Sequence, residues 1–320
     1  MAIRHLLSLA ELGPQNLSYL VNQSLAYAAA REEPAKPLAG KIVGIYFRGP
    51  STRTRTSFTV GAIRLGANTI SYGPHDLQLA TGETIRDTAR VLSGFLDALV
   101  IRTNQSIAEM QELAKQNEMA IINAMSENEH PTQAIADLST IREAFGRLDD
   151  VHVLYLGEGN NSAAALALAI SQTPGMRLTL VTPEGYGLAE DVLETAHRLA
   201  AKHDSAIEHH HRIDHLPTDV DAVYATRWQT MGESKTDPHW LEKFAPYSVT
   251  PALMAKVSKS SATIFLHDLP AVRGQDVHDD VLDGAQSRAF RQAQHKLYSA
   301  MAVFRWCLAD EEATRIARHA

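Results

Sequence analysis

The chain has one cysteine, Cys307, in 320 residues. An internal disulfide and a cysteine-based metal cluster are both excluded. No apolar run reaches about 18 residues, so no membrane-spanning helix is expected. Lys and Arg number 30 against 37 Asp and Glu. The formal net charge of −7 gives no bulk attraction to nucleic acid or to an anionic membrane. No GxxxxGK[ST] loop occurs and no GxGxxG follows a strand pattern, which removes Walker-type and dinucleotide-type phosphate loops. Internal repeats and low-complexity segments are missing too. The N-terminal MAIRHLLSLAELG has an apolar patch without a cleavage site and reads as a first structural element, not a signal peptide. What remains, 45% hydrophobic and 21% charged, is the composition of a soluble globular protein long enough for two domains. Together these features point to a cytoplasmic enzyme or binding protein.

Apolar runs and helical patterns alternate along the chain. Strands are predicted at Lys41–Phe47, Asn68–Tyr72, Asp97–Arg102 and Ala120–Ala124, with helical spacing at Leu17–Arg31, Ile85–Phe95, Ile107–Gln116 and Ala134–Phe145. Near Gly146 the pattern restarts. Strands follow at His152–Leu156, Arg177–Val181, Ala222–Thr226 and Ile264–His267, with helices opening at Asn160-Asn161, at Leu188–Lys202 and at Ala289–Leu308. Such alternation predicts an α/β protein of two doubly wound parallel-sheet domains. The expected division is 1–147, completed by a C-terminal helix over 289–320, and 148–288.

In open parallel sheets, ligands sit beyond the carboxyl ends of the strands. Gly49-Pro50-Ser51-Thr52-Arg53-Thr54-Arg55-Thr56 lies there, a strand-to-helix turn where Gly-Pro breaks the strand and Ser51 or Thr52 can cap the helix. Unpaired N–H groups, the helix dipole, two arginines and several hydroxyls make an anion site there, most naturally for a phosphate. The same rule selects Arg102, His130 with Gln133, the Asn160-Asn161 turn, Thr226 to Gln229, and His267-Asp268. His209-His210-His211 does not suggest a metal site, because neighbours on a strand point to opposite faces. Cys307 reads as a packing residue, and Glu158 and Asp137 as local capping or pairing residues.

Ser51-Thr52-Arg53-Thr54-Arg55 after a strand, then Arg102, then His130-Pro131-Thr132-Gln133, then His267-Asp268-Leu269-Pro270 resemble, in that order, the aspartate/ornithine carbamoyltransferase family. The resemblance implies an interdomain active-site cleft, no metal and no cofactor, and carbamoyl phosphate with an amino-acid amine as partners. It places Ser51, Thr52, Arg53 and Thr54 on the phosphate. Thr54, Arg102 and His130 face the carbamoyl oxygen, and Gln133 faces the carbamoyl amide. It implies a cis Leu269–Pro270 bond whose Leu269 carbonyl meets the same amide. It also implies a homotrimer in which the Gln78 loop reaches a neighbouring subunit's carbamoyl phosphate.

From about Leu38 to Met301 the chain is most similar to ornithine carbamoyltransferases. On that branch Asn161 holds the acceptor's carboxylate, and Thr230-Met231-Gly232-Glu233 resembles Ser-Met-Gly-Glu. Two positions depart from the branch: Thr226 stands where it has Asp, and Asp268 where it has Cys. Thr226-Arg227-Trp228-Gln229 is instead similar to the Thr-Arg-X-Gln of aspartate carbamoyltransferases, where Arg and Gln bind a carboxylate. Those enzymes' arginine near the GEGNN turn and their loop lysine are missing here. Lys296 replaces an arginine usual near the C-terminal helix. The acceptor residues expected are therefore Asn161, Thr226, Arg227, Gln229, Thr230, Met231, Asp268 and Lys296. A cation in place of an acid changes the charge a pocket prefers. The expectation is an ornithine carbamoyltransferase-like enzyme with an altered acceptor pocket. The alternatives are an aspartate-type or other anionic-acceptor enzyme, or a catalytically silent relative that binds carbamoyl phosphate.

Overall fold

The computed structural model describes residues 3–32, 36–229 and 234–309. Its chain forms two compact units, 1–139 with 295–320, and 140–294.

In the first unit, helix α1 (Pro14–Ala29) precedes strand β1 (Ile42–Phe47), helix α2 (Arg53–Arg64) and strand β2 (Asn68–Tyr72). Then come α3 (Ile85–Ser93), β3 (Ala98–Arg102), α4 (Ala108–Leu113), β4 (Ala120–Met125) and α5 (Pro131–Phe145). The sheet order is β2-β1-β3-β4, all parallel. Strands β3 and β4 are buried at every position, as an inner parallel sheet requires. Leu6 adds a parallel bridge to Ile122, so the N-terminal segment extends the sheet beside β4.

The second unit holds β5 (His152–Leu156), α6 (Asn161–Ile170), β6 (Arg177–Val181), α7 (Glu190–His203), β7 (Ala206–His210) and β8 (Ala222–Ala225). After these come α8 (Trp240–Phe244), α9 (Pro251–Val257), β9 (Ile264–His267) and α10 (Asp279–Leu282). Its sheet order is β7-β6-β5-β8-β9, again all parallel. Helix α6 is buried from Ser162 to Ile170, so it is apolar on every side. The long helix α11 (Ala289–Leu308) is divided between the units, its residues from His295 onward belonging to the first.

Both sheets have a point where strand order reverses. In the first it falls between β1 and β3, in the second between β5 and β8. Crevices open at such points, beyond the carboxyl ends of the strands. The Ser51 turn and Arg102 flank the first crevice, and the Asn160 turn and Thr226 flank the second.

The loops after β5 and β6 come into close backbone contact. Gly159 N–H donates to Tyr186 O at 2.8 Å. A Cβ on Gly159 would fall 2.3 Å from Gly187 C and 2.4 Å from Leu188 N. Backbone cannot swing away as a flexible side chain can. Gly159→Ala is therefore expected to destabilise the protein by about 3 kcal/mol, read as a lower urea midpoint at unchanged m.

Candidate active site

Strand β1 ends at Phe47, and the Gly49-Pro50 break turns the chain into α2. Thr52 occupies the cap position, yet its hydroxyl makes no capping bond, contrary to expectation. The chain stays helical through Thr52 (φ −72°, ψ −59°), which leaves no geometry for a side-chain cap. A cavity of about 390 Å³ lies at this terminus, lined by Phe47 to Thr52, Arg55 and Pro74. Arg55, second arginine of the motif, stacks on Phe47 at 5.3 Å and keeps its Nε buried without a hydrogen-bond partner. Arg48 is held away by Tyr46, Gln105 and Glu109.

Beside this turn, cations gather around one imidazole. His130 is 5% exposed, with Arg102 at 7% and Lys296 at 5%. Burial, and then the charges of Lys296, Arg102 and Arg53, hold the His130 pKa well below its ordinary value. The ring is neutral. Lys296 Nζ lies 3.5 Å from His130 Nε2. An ammonium only donates, so Nε2 accepts and Nδ1 carries the proton. That Nδ1 is buried without a partner. It is a donor looking for an oxygen.

Lys296 was expected among the acceptor residues. It belongs to the first unit and also donates to Gln133 Oε1. Helix α11 positions it there, and Ser299 one turn later hydrogen-bonds Thr132 O. Gln133 Nε2 donates to Asp137 Oδ1 at 2.7 Å, so the amide is oriented from both ends. Thr54 and Ser57 are buried on α2, and Ser57 Oγ bonds Thr54 O at 2.9 Å. Gln78 lies in an exposed 3₁₀ turn, with Thr81 donating to its side chain at 2.5 Å.

In the second unit, Asn160 caps α6, accepting from Ser162 N at 3.0 Å and Ala163 N at 3.2 Å. Its Nδ2 donates across the crevice to Thr226 Oγ1 at 3.2 Å. Thr226 in turn lies 3.2 Å from both carboxylate oxygens of Asp268. Asn161 is the first residue of α6, and Arg227 and Gln229 are half-buried beyond β8. Thr230 and Met231 lie outside the described residues. Leu269 belongs to this unit, with φ +53° and a cis bond to Pro270. Its N–H donates to His267 Nδ1 at 2.8 Å, and His267 Nε2 sits 3.0 Å from Asp276.

Three features were not visible in the sequence pattern. Glu158, expected to pair locally, forms an ion pair with Lys235, 77 residues away. His209 and His211 share one face and both reach Thr182, at 2.9 and 3.2 Å, and no metal-binding group occurs among the described residues. Glu129, just before His130, is buried and accepts from Ser8 Oγ at 2.5 Å and Leu9 N at 2.8 Å. Burial pushes its carboxyl from 4.5 up to about 7, against those two bonds. The fold therefore favours the protonated form, and stability is lost as pH rises from about 4.5 through 7. Glu129→Gln should remove roughly 3 kcal/mol of that loss, flattening the stability–pH curve between pH 5 and 8 in urea titrations.

Comparison with known proteins gives one answer for both units. Residues 4–143 match the model of the aspartate/ornithine carbamoyltransferase carbamoyl-P binding domain, and residues 149–307 match that of the Asp/Orn binding domain. An ornithine carbamoyltransferase of Caldicellulosiruptor saccharolyticus is 40% identical over 303 residues, covering 94% of this chain and 97% of that one. One from Oceanobacillus iheyensis is 37% identical, covering 96% and 95%. The structure of ornithine carbamoyltransferase from Pyrococcus furiosus superposes with a TM-score of 0.89 at 34% identity, over 96% of this chain and 97% of that one.

Proposed function

We propose, because the chain belongs to the aspartate/ornithine carbamoyltransferase family, that it moves the carbamoyl group of carbamoyl phosphate onto the amine of an amino-acid acceptor. The observation that carries this reading is the set of cations around the neutral His130 beside an uncapped helix terminus. Ser51, Thr52, Arg53 and Thr54 take the phosphate. Thr54, Arg102 and the Nδ1–H of His130 take the carbonyl oxygen, and Gln133 and Leu269 orient the amide.

The chemistry follows from those donors. The neutral amine attacks the carbonyl carbon, and negative charge grows on the carbonyl oxygen. Fixed donors at that oxygen lower the barrier. The C–O bond to phosphate then breaks, and the phosphate leaves on Arg53 and the helix terminus. The amine's proton passes to the departing phosphate, so no protein base is required. Positioning and electrostatics supply the rate.

The acceptor is read from Asp268. Its carboxylate is contacted by the Thr226 hydroxyl and lies 3.5 Å from His267 Nδ1, which accepts from Leu269 N–H, and its side chain is 14% exposed. The described residues place no arginine or lysine within ion-pair distance of it. An ammonium group of the acceptor fits there, one strand over from where the resemblance puts a carboxylate. Asn161 receives the acceptor's carboxylate. Arg227 and Gln229 suit a further anionic group. A panel of ornithine, acetylornithine, succinylornithine, aspartate, diaminopropionate, lysine and putrescine with carbamoyl phosphate should give most ureido product from an acceptor that carries an anionic group besides its α-carboxylate, and Arg227→Ala should raise that acceptor's KM by about tenfold. Turnover of ornithine alone, with KM indifferent to Arg227→Ala, supports an ordinary ornithine pocket instead. Thermal stabilisation by carbamoyl phosphate without any product supports the silent relative.

The same reading takes the enzyme to be a cytoplasmic homotrimer with Gln78 reaching a neighbour's carbamoyl phosphate. Ile63 on α2, Ile70 on β2, and Val91 and Phe95 on and after α3 are exposed at 56%, 43%, 52% and 68%, apolar surface suited to a contact between copies. Light scattering should give three times the 35.1 kDa chain mass. Gln78→Ala should keep that mass while weakening carbamoyl phosphate binding by roughly tenfold.

A further inference from the structure

Lys235 is an ammonium taken out of water. Its side chain is 8% exposed and that of its partner Glu158 is 16% exposed. Its Nζ lies 4.7 Å from the centre of the Tyr186 ring, 5.1 Å from Phe244 and 5.7 Å from Trp240. Three rings and one carboxylate thus replace its hydration, a combination that attracts a cation strongly once desolvated.

The placement of these groups gives the pair its meaning. Glu158 is in the turn after β5, Tyr186 follows β6, and Lys235, Trp240 and Phe244 follow β8. Each lies beyond a strand's carboxyl end, where the fold itself asks for no ion pair. Phe244 also packs on Trp228, with ring centres 5.6 Å apart. Trp228 is 4% exposed and sits between Arg227 and Gln229. At the other end, Glu158 is two residues before Asn160, which caps α6 and bonds Thr226.

We infer that the ring-caged Lys235–Glu158 pair is a clasp that holds Thr226 to Gln229 in register with the Asn160-Asn161 turn, making Lys235 and Glu158 positioning residues for the acceptor. This rests on the acceptor assignment made above. Breaking a buried pair from one side leaves a charge without its partner, so the loop must move to hydrate it. The carbamoyl phosphate residues of the first unit have no part in the clasp.

The test uses the full-length enzyme with Lys235→Met, Glu158→Gln and Lys235→Arg. Met keeps the apolar packing and Gln the shape, while Arg keeps charge and stacks on rings. Lys235→Met and Glu158→Gln are each expected to raise the acceptor KM by about tenfold or more, with the carbamoyl phosphate Kd held within about twofold, and Lys235→Arg to restore most of the loss. Trypsin cleavage after Arg227, followed by fragment mass, should speed up at least about fivefold in the first two variants. An acceptor KM within twofold of the parent in both variants overturns the clasp. So does a carbamoyl phosphate Kd that rises in step with KM, which marks general destabilisation. If the parent enzyme carbamoylates no amine, the acceptor reading fails by itself. The tryptic rate still decides the clasp, an unchanged rate rejecting it.

Discussion

Positive charge is gathered around one buried imidazole, and that crowding, with burial, sets the state of His130. Arg102 and Lys296 are almost wholly out of water, and with Arg53 they depress the imidazole. Asp137 is tied to this group through Gln133. Glu129, next in sequence to His130, is held toward its uncharged form by burial. Ions of one sign crowded at low dielectric repel each other, and a dianionic phosphate, the ligand proposed above, would offset that repulsion. The helix terminus points its N–H groups the same way, without the side-chain cap that would have used one of them. On the proposed reading the two devices act on one ligand and reinforce each other.

The second unit solves a different problem on the same plan. Its crevice needs both signs of charge, because an amino acid carries both. Strands β8 and β9 are neighbours, and Ala225 pairs with His267 in register. The next residue on each strand, Thr226 and Asp268, must therefore meet, and does so at 3.2 Å. On the proposed reading, a carboxylate on β9 in place of one on β8 keeps the pocket's charge while shifting where an ammonium is held. Thr226 supplies the small neutral partner that keeps Asp268 from being crowded. Asn160 completes the line from β5 across β8 to β9. Register in a parallel sheet thus brings two residues far apart in sequence into one contact.

Much of this was readable from the chain alone. The strands His152–Leu156, Arg177–Val181 and Ile264–His267 fall where the apolar runs put them, and the helix Ala289–Leu308 where its period puts it. Buried parallel strands are near-continuous apolar runs, so they announce themselves. Strand β7 does not, since Ala206–His210 is an edge strand with polar residues on an exposed side. The short helices α8, α9 and α10 have too few turns to show a period. Among site residues, those at strand ends were legible because the rule for parallel sheets selects them. The contacts of Lys296 with His130 and Gln133 were not legible, because helix period gives a face and not the partner that face meets. The pairing of Glu158 with Lys235 joins two loops, and loops carry no periodicity from which a long-range contact can be inferred.

The absence of a required protein base shapes how such an enzyme is specified. When the leaving phosphate accepts the amine's proton, no side chain needs a pKa poised near 7 at the reacting atoms. The residues proposed to face the carbamoyl group are then free to be fixed donors: Arg102 charged, His130 neutral, Thr54 uncharged. Arginine is charged by its own chemistry and threonine does not titrate, so His130 alone has its state set by its surroundings. His130 shows the logic best. Lys296 supplies both the hydrogen bond that sends the ring proton to Nδ1 and part of the charge that keeps a second proton off. A lysine can do this from a buried helix because its single ammonium reaches both Gln133 and His130. Chemistry of this kind depends on loops being held still more than on any one group's acidity. That places the weight of specificity on the elements that hold the acceptor loop, far from the bonds that break.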